Sequence, residues 1–307
     1  MQENETGDKK MVLPILLMAG LFILIHGLAI LMVGPFQEAD KQVFEDSDDP
    51  MNLVIFFAVL LGMTAVILLI AKYWKKQLIQ VLILLAIGYT SFYVFLPLSA
   101  LILPGWIPLI FSVIAAVALT LILFKFPEWY IIDLCGVIVG AGAVALFGIS
   151  LGVLLVIIVL VALAIYDAIS VYKTKHMIEL ADTVMDLKLP VLLVIPKIRH
   201  YSLLKETKRL KEQLKAGEER DAFFMGLGDV VMPGILVVAT YYNIPNGLPV
   251  TIAVLLGTLV GFVILMTYVM KGKPQAGLPL LCGGAILGYL VSCLIFFGEL
   301  KGLTLPF

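Results

Sequence analysis

The chain has 307 residues, of which 62% are hydrophobic and 14% charged, and its formal net charge is −1. Soluble globular domains carry about 25% charged residues and about 45–50% apolar ones. The composition therefore excludes an ordinary soluble domain and indicates a bilayer-embedded protein, and without a basic patch no nucleic-acid partner is expected.

Apolar runs close to the ~20 residues that cross a bilayer recur along the whole chain. The first run is too long for the core of a typical signal peptide, so we predict that it is retained as a helix. A turn at Pro104-Gly105 separates the third run from the fourth. We predict an all-α polytopic membrane protein of about nine transmembrane helices. The predicted spans are 13–33, 53–71, 78–99, 106–124, 131–148, 152–171, 222–242, 248–270 and 278–298.

The distribution of basic residues predicts the orientation of these spans. With the N-terminus in the cytoplasm, 19 of the 21 Lys and Arg residues fall in cytoplasmic segments, and only Lys41 and Lys301 fall outside. Short cytoplasmic loops are normally the basic ones. We therefore predict a cytoplasmic N-terminus and an outside C-terminus.

The long segment 172–221 divides the chain into three predicted parts. Residues 1–171 form a six-helix bundle, 172–221 form a cytoplasmic loop, and 222–307 form a three-helix part. Within the loop, 176–187 has helical amphipathic spacing, and 189–195 is a short apolar run typical of a strand or interfacial segment. The charged stretch 197–220 is predicted to be a solvated helix or coil. So long a loop is often functional, although a plain linker remains an alternative.

Two acidic residues lie well inside apolar spans, where ionisable groups are costly and usually functional. Asp167 lies 6 residues before Lys173, and Asp229 lies 9 residues after Arg220. At about 1.5 Å of rise per residue, the two acids are roughly 9 and 13 Å from the cytoplasmic ends of consecutive antiparallel helices. Asp133 and Glu128, at the start of another span, are given no special role.

Two carboxyls at one depth can form a hydrolytic pair. In a low-dielectric site both cannot ionise, so the pair holds one proton. The ionised member then accepts a proton from an attacking water, and the protonated member donates to the carbonyl oxygen of the substrate. Gly226 and Gly228 permit close approach beside Asp229. Tyr166 is expected either to donate a hydrogen bond near the site or to pack.

At these residues the sequence resembles the presenilin and signal peptide peptidase family of intramembrane aspartyl proteases. The family motifs are Tyr-Asp in the sixth helix, Gly-x-Gly-Asp in the seventh and Pro-Ala-Leu-Pro at the ninth. The corresponding residues here are Tyr166-Asp167, Gly226-Leu227-Gly228-Asp229 and Ala276-Gly277-Leu278-Pro279. Only Leu278 and Pro279 match the third motif.

The resemblance implies an endopeptidase that cuts within transmembrane segments, with Asp167 and Asp229 catalytic. It implies supporting roles for Tyr166, Gly226, Leu227, Gly228, Leu278 and Pro279. It implies no metal and no cofactor. The expected partners are transmembrane substrate proteins or signal peptides and the lipid bilayer, and the chain can form a homo-oligomer. The small size is similar to a microbial homologue, which places the protein in a microbial cell membrane.

A transporter or channel that uses the two acids as a proton relay is the main alternative. Three others are weighed: a prepilin peptidase, which normally has a lysine soon after its Gly-x-Gly-Asp motif; a catalytically inactive scaffold; and a serine protease. The last would use the Gly-x-Ser-x-Gly pattern at Ser150 with His26 as base. No His-Glu-x-x-His motif occurs. The three cysteines, Cys135, Cys282 and Cys293, are expected to be free and buried.

A substrate helix must unwind before it is cut, and its exposed backbone groups then need partners. Addition of the unwound segment to a strand edge supplies such partners. We expect the run Val191 to Ile195 and the segment before Leu278 to provide those edges.

Overall fold

The computed structural model describes residues 2–73, 76–174, 192–197, 201–202, 222–270 and 275–303. Within these ranges the chain forms nine α-helices, one π-helical turn and one two-stranded sheet. The helices are α1 (Gln2–Glu38), α2 (Met51–Tyr73), α3 (Lys76–Ala100), α4 (Ile107–Lys125), α5 (Trp129–Ser150), α6 (Val153–Ile169), α7 (Leu227–Asn243), α8 (Leu248–Met270) and α9 (Gly277–Phe297). The π-helical turn is Ser170–Thr174, and the strands are β1 (Leu192–Pro196) and β2 (Ala222–Gly226).

Seven of these helices are long and apolar enough to cross a membrane, and α2 contains a shorter apolar stretch, Met51–Ile67. The predicted all-α polytopic architecture is therefore confirmed. The seventh helix was predicted to begin at residue 222, and this boundary is wrong, because residues 222–226 form a strand and α7 begins at Leu227. The three-part division of the chain stays a prediction.

Helices α5 and α7 lie at the centre of the bundle. Fourteen of the 22 residues of α5 and ten of the 17 of α7 are buried, whereas α4 buries five of 19. The two helices pack on each other, with α1 against both. The exposed apolar side chains of the peripheral helices are those that a lipid environment accommodates.

Glycines bring helix backbones together where α8 packs on α9. An ideal Cβ on Gly257 would lie 2.2 Å from the carbonyl oxygen of Gly284, and one on Gly261 would lie equally close to the carbonyl oxygen of Leu280. Small residues four apart allow this closeness, which supports van der Waals packing in lipid. The α8–α9 pair therefore depends on the absence of side chains at these positions.

The two strands pair antiparallel, with Leu192 opposite Gly226 and Pro196 opposite Ala222. Residues of the predicted apolar run 189–195 thus lie in β1. Lys197, directly after β1, places its Nζ 4.6 Å from the centre of the Phe223 ring in β2. The predicted amphipathic piece 176–187 and nearly all of the charged stretch 197–220 lie outside the described residues.

Candidate active site

Asp167 lies in the last turn of α6, just before the π-helical turn, and its side chain is 7% exposed. Its Oδ2 accepts a hydrogen bond of 3.1 Å from the backbone N–H of Leu278, and the Gly277 amide also interacts with this carboxyl. The first N–H groups of a helix have no partner within the helix. Ala276, the N-cap of α9, offers no side-chain cap, so a carboxylate from α6 caps α9.

Asp229 lies in the first turn of α7, three residues after the N-cap Gly226. Its carboxylate interacts with the backbone N–H of Gly226. This is the backward half of a capping box, in which an acidic side chain at the third helical position satisfies the N-cap amide. An ideal Cβ on Gly226 would lie 3.2 Å from Oδ2 of Asp229, so glycine leaves room for this contact.

The first turn of α9 brings the two acids together. Gly277 faces Asp229 so closely that an ideal Cβ on it would lie 3.2 Å from Oδ2 and 3.5 Å from Oδ1. The next residue, Leu278, donates to Asp167. The two carboxyls also interact electrostatically with each other. Each acid is set at a helix N-terminus, where the backbone amides favour negative charge.

The other residues singled out from the sequence have different surroundings. Gly228 is exposed, and an ideal Cβ on it meets no atom within 4 Å. Leu227 packs against α5, where an ideal Cβ on Gly140 would lie 3.2 Å from its Cδ1. Pro279 is partly buried in the first turn of α9, where its missing N–H costs little. Tyr166 is 69% exposed, and among the described residues no hydrogen bond of its hydroxyl is seen.

Two residues near the site, Gly277 and Asp133, were given no role from the sequence. Gly277 replaces the alanine of the family motif, and the structure places it directly beside Asp229. Asp133, to which no special role was assigned from the sequence, accepts a 2.8 Å hydrogen bond from the Val194 N–H in β1. The only feature of the sequence that could have drawn attention to Asp133 is its position near the start of an apolar run.

His26 and Ser150 do not have the partners that the serine-protease alternative requires. His26 is fully buried, and its Nε2 lies 2.9 Å from the carbonyl oxygen of Val230. Ser150 donates to the Leu146 carbonyl and accepts from the Val43 N–H. The three cysteines are free and buried, and among the described residues no group of His, Cys, Asp or Glu has the arrangement of a metal site.

Comparison with known proteins finds matches to one family of membrane proteases. A profile of the family "Signal-peptide peptidase, presenilin aspartyl protease" matches residues 19–298. A solved presenilin family intramembrane aspartate protease, crystallised in space group C222, is 35% identical and has a TM-score of 0.70, covering 92% of this chain and 99% of its own. A second such structure, in space group P2, is 37% identical with a TM-score of 0.67, covering 91% and 96%. No curated protein matches significantly.

The fold and the site define a multi-pass membrane protein with paired carboxyls. With these matches, the chain belongs to the presenilin and signal peptide peptidase family of intramembrane aspartyl proteases, which hydrolyse peptide bonds. Neither comparison points to a transporter or a channel.

Proposed function

We propose that Asp167 and Asp229 are the catalytic pair of this protease. The observation that carries the proposal is the shared contact with one turn of α9: Leu278 donates to Asp167 while Gly277 lies against Asp229. Two carboxyls in one low-dielectric site hold a single proton between them. This is the protonation state that peptide hydrolysis by paired acids requires.

The pair acts on a water molecule and a peptide bond. The ionised carboxyl accepts a proton from water as the water oxygen bonds to the peptide carbon, and the protonated carboxyl donates to the carbonyl oxygen. The resulting diol then collapses. The protonated carboxyl donates its proton to the nitrogen as the C–N bond breaks, and the ionised carboxyl accepts a proton from one hydroxyl of the diol. The products are a free carboxyl and a free amine, and the pair again holds one proton.

The neighbouring residues shape this site. Gly228 leaves open space beside Asp229, which a substrate backbone can occupy. Gly226 and Leu227 set the start of α7 from which Asp229 projects. Leu278 and Pro279 set the first turn of α9. Tyr166 precedes Asp167 in the chain and is largely exposed, so its side chain is free to contact a substrate.

The substrates we propose are transmembrane proteins or signal peptides, which must unwind to be cut. The Val194 N–H on the outer edge of β1 is already taken by Asp133, so β1 is a poor edge for an added strand. In the observed register Phe224 is opposite Val194. The polar backbone groups of Phe224 therefore point away from β1. We accordingly assign strand addition to β2 rather than to the run Val191 to Ile195.

The topology that fits this proposal has the N-terminus in the cytoplasm and the C-terminus outside, in the cell membrane of a microbe. It places the ends of α6 and α7 that carry the two acids on the cytoplasmic side. Association of copies into a homo-oligomer stays an expectation from the sequence.

Asparagine variants test the proposal. Asp167→Asn and Asp229→Asn keep the size of each side chain and remove its acid. We expect each variant, purified in detergent, to lose cleavage of a transmembrane peptide by at least about 100-fold, with the thermal midpoint close to that of the unaltered protein. Mass spectrometry of the products locates the cut. Full turnover in either folded variant would contradict the assignment.

A further inference from the structure

Asp133 is a buried acid that the proposed chemistry does not use. Its side chain is 7% exposed, and its Oδ1 accepts the Val194 N–H at 2.8 Å. The two residues are 61 positions apart in the chain. Burying a carboxyl is costly unless it is hydrogen-bonded. The hydrogen bond from Val194 in β1 offsets part of this cost for Asp133.

The face of α5 that carries Asp133 also contacts β1 and the start of α7. Gly136 follows Asp133 by three residues and Gly140 by seven, a spacing that keeps all three on one helix face. An ideal Cβ on Gly136 would lie 2.9 Å from Cδ2 of Leu193, and one on Gly140 would lie 3.2 Å from Cδ1 of Leu227. The strand β1 and the start of α7 are thus both seated on this face.

Three successive contacts connect Asp133 to the active site. Asp133 accepts the Val194 N–H, β1 pairs with β2 so that Leu192 lies opposite Gly226, and the Gly226 amide interacts with the Asp229 carboxylate. The carboxylate of Asp133 accepts a hydrogen bond from one particular backbone N–H of β1, that of Val194. A strand that slides by two residues would present the same side-chain faces but a different amide.

We propose that Asp133 is a positioning residue that fixes the two-stranded sheet in one register beside Asp229 and thereby selects the peptide bond that is cut. This inference rests on the proposed function, because it takes Asp229 as catalytic and β2 as the edge that pairs with substrate. Without the Asp133 contact, the sheet admits substrate strands in neighbouring registers. Because the side-chain period of a strand is two, the additional cuts fall two residues from the main one.

The variants Asp133→Leu and Asp133→Asn separate positioning from folding. Leucine fills the space and leaves the Val194 N–H without an acceptor, whereas the asparagine amide oxygen can accept the same hydrogen bond. The control is Ser150→Ala, at the opposite end of the same helix. Ser150 is also buried and also accepts a backbone N–H from a connecting segment, that of Val43 at 2.8 Å.

Three measurements are made on each purified protein: the masses of the products, KM and kcat for a transmembrane peptide, and hydrogen–deuterium exchange of the segment 192–196. For Asp133→Leu we expect faster exchange in that segment, cuts two residues from the main site, and KM raised about fivefold or more. Asp133→Asn is expected to match the unaltered protein, and Ser150→Ala is expected to keep the original cut and KM.

An unchanged product pattern and KM in Asp133→Leu would overturn the inference, and so would the same defects in Ser150→Ala. The exchange measurement does not depend on catalysis. If Asp167→Asn and Asp229→Asn are inactive while Asp133→Leu cuts as the unaltered protein does, only the positioning role is lost. If either asparagine variant keeps full activity, the catalytic assignment itself is lost.

Discussion

Leu278 donates its backbone N–H to Oδ2 of Asp167 over 3.1 Å, and through this bond a carboxyl of α6 caps the start of α9. Helix α9 therefore contributes to the proposed active site. The residue before Leu278 is Gly277, whose Cα faces Asp229. Position 277 accordingly limits how the two acids approach each other.

We expect activity to fall stepwise with side-chain size at Gly277. An alanine Cβ would lie 3.2 Å from Oδ2 of Asp229, which a shift of a few tenths of an ångström relieves, so Gly277→Ala is expected to keep cleavage within about tenfold. Gly277→Val overfills the space, which typically costs about 1–3 kcal/mol or more, and is expected to be inactive. Peptide cleavage and thermal midpoints provide the measurement.

Gly283 offers the control for that series, because an ideal Cβ on it meets no atom within 4 Å. Gly283→Ala lies in the same helix and is expected to leave turnover unchanged. Equal activity of Gly277→Val and Gly283→Ala would show that the space beside Asp229 is not limiting.

Proline substitutions in β1 should distinguish its two edges. In the observed register the Val194 N–H faces Asp133 and Pro196 has no N–H, so the ladder bonds of β1 to β2 belong to Leu193 and Ile195. Leu193→Pro removes a ladder donor and is expected to reduce cleavage at least about tenfold. Val194→Pro removes the donor to Asp133 and no ladder donor, so it is expected to keep kcat while raising KM and broadening the cut sites, as Asp133→Leu is.

Product analysis by mass spectrometry tests both proline variants. Cleavage by Leu193→Pro at the normal rate and position would mean that the sheet is dispensable. Position 191, the first residue of the run expected from the sequence to provide a strand edge, lies outside the described residues.

The contact between His26 and α7 should contribute to stability more than to chemistry. His26 bonds the Val230 carbonyl, and an ideal Cβ on Gly234 would lie 2.6 Å from its Nε2. Among the described residues its Nδ1 has no hydrogen-bond partner. Gly234→Ala displaces the ring and is expected to lower the free energy of unfolding by about 1–3 kcal/mol. Residual activity per folded molecule is expected to stay within a few-fold.

Thermal unfolding with and without substrate peptide measures the change in the free energy of unfolding that Gly234→Ala causes. His26→Phe keeps a ring of related size and loses the donor, and is expected to destabilise by about 0.6–2 kcal/mol. A stable Gly234→Ala protein that has lost all activity would instead place His26 in the chemistry.

The close packing of α8 on α9 predicts contrasting effects at two adjacent glycines. An ideal Cβ on Gly284 would lie 2.2 Å from the carbonyl oxygen of Gly257, whereas one on Gly283 meets nothing. Gly284→Ala is expected to destabilise the protein by about 1–3 kcal/mol. Gly283→Ala is expected to be neutral or to stabilise by up to about 1 kcal/mol through helix propensity. Unfolding free energies that are equal for the two variants would contradict this packing.

The sequence predicted the features that depend on local pattern. The apolar runs gave the spans, and the motifs at Asp167 and Asp229 indicated the pair that α9 brings together. It did not reveal β2, because Ala222-Phe223-Phe224-Met225 is as apolar as the helix it precedes and becomes a strand only beside β1. The hydrogen bond of Asp133 was also missed, because its partner Val194 is 61 residues away in the sequence.

The antiparallel pairing of Leu192 with Gly226 affects how the intervening chain can vary. Gly226 lies opposite Leu192 of β1, and the next residue, Leu227, packs against Gly140 of α5. These contacts hold the start of the helix from which Asp229 projects. We expect a chain cut once between Pro196 and Ala222 to keep its two portions associated through purification in detergent, because α5 packs on α7 and β1 pairs with β2.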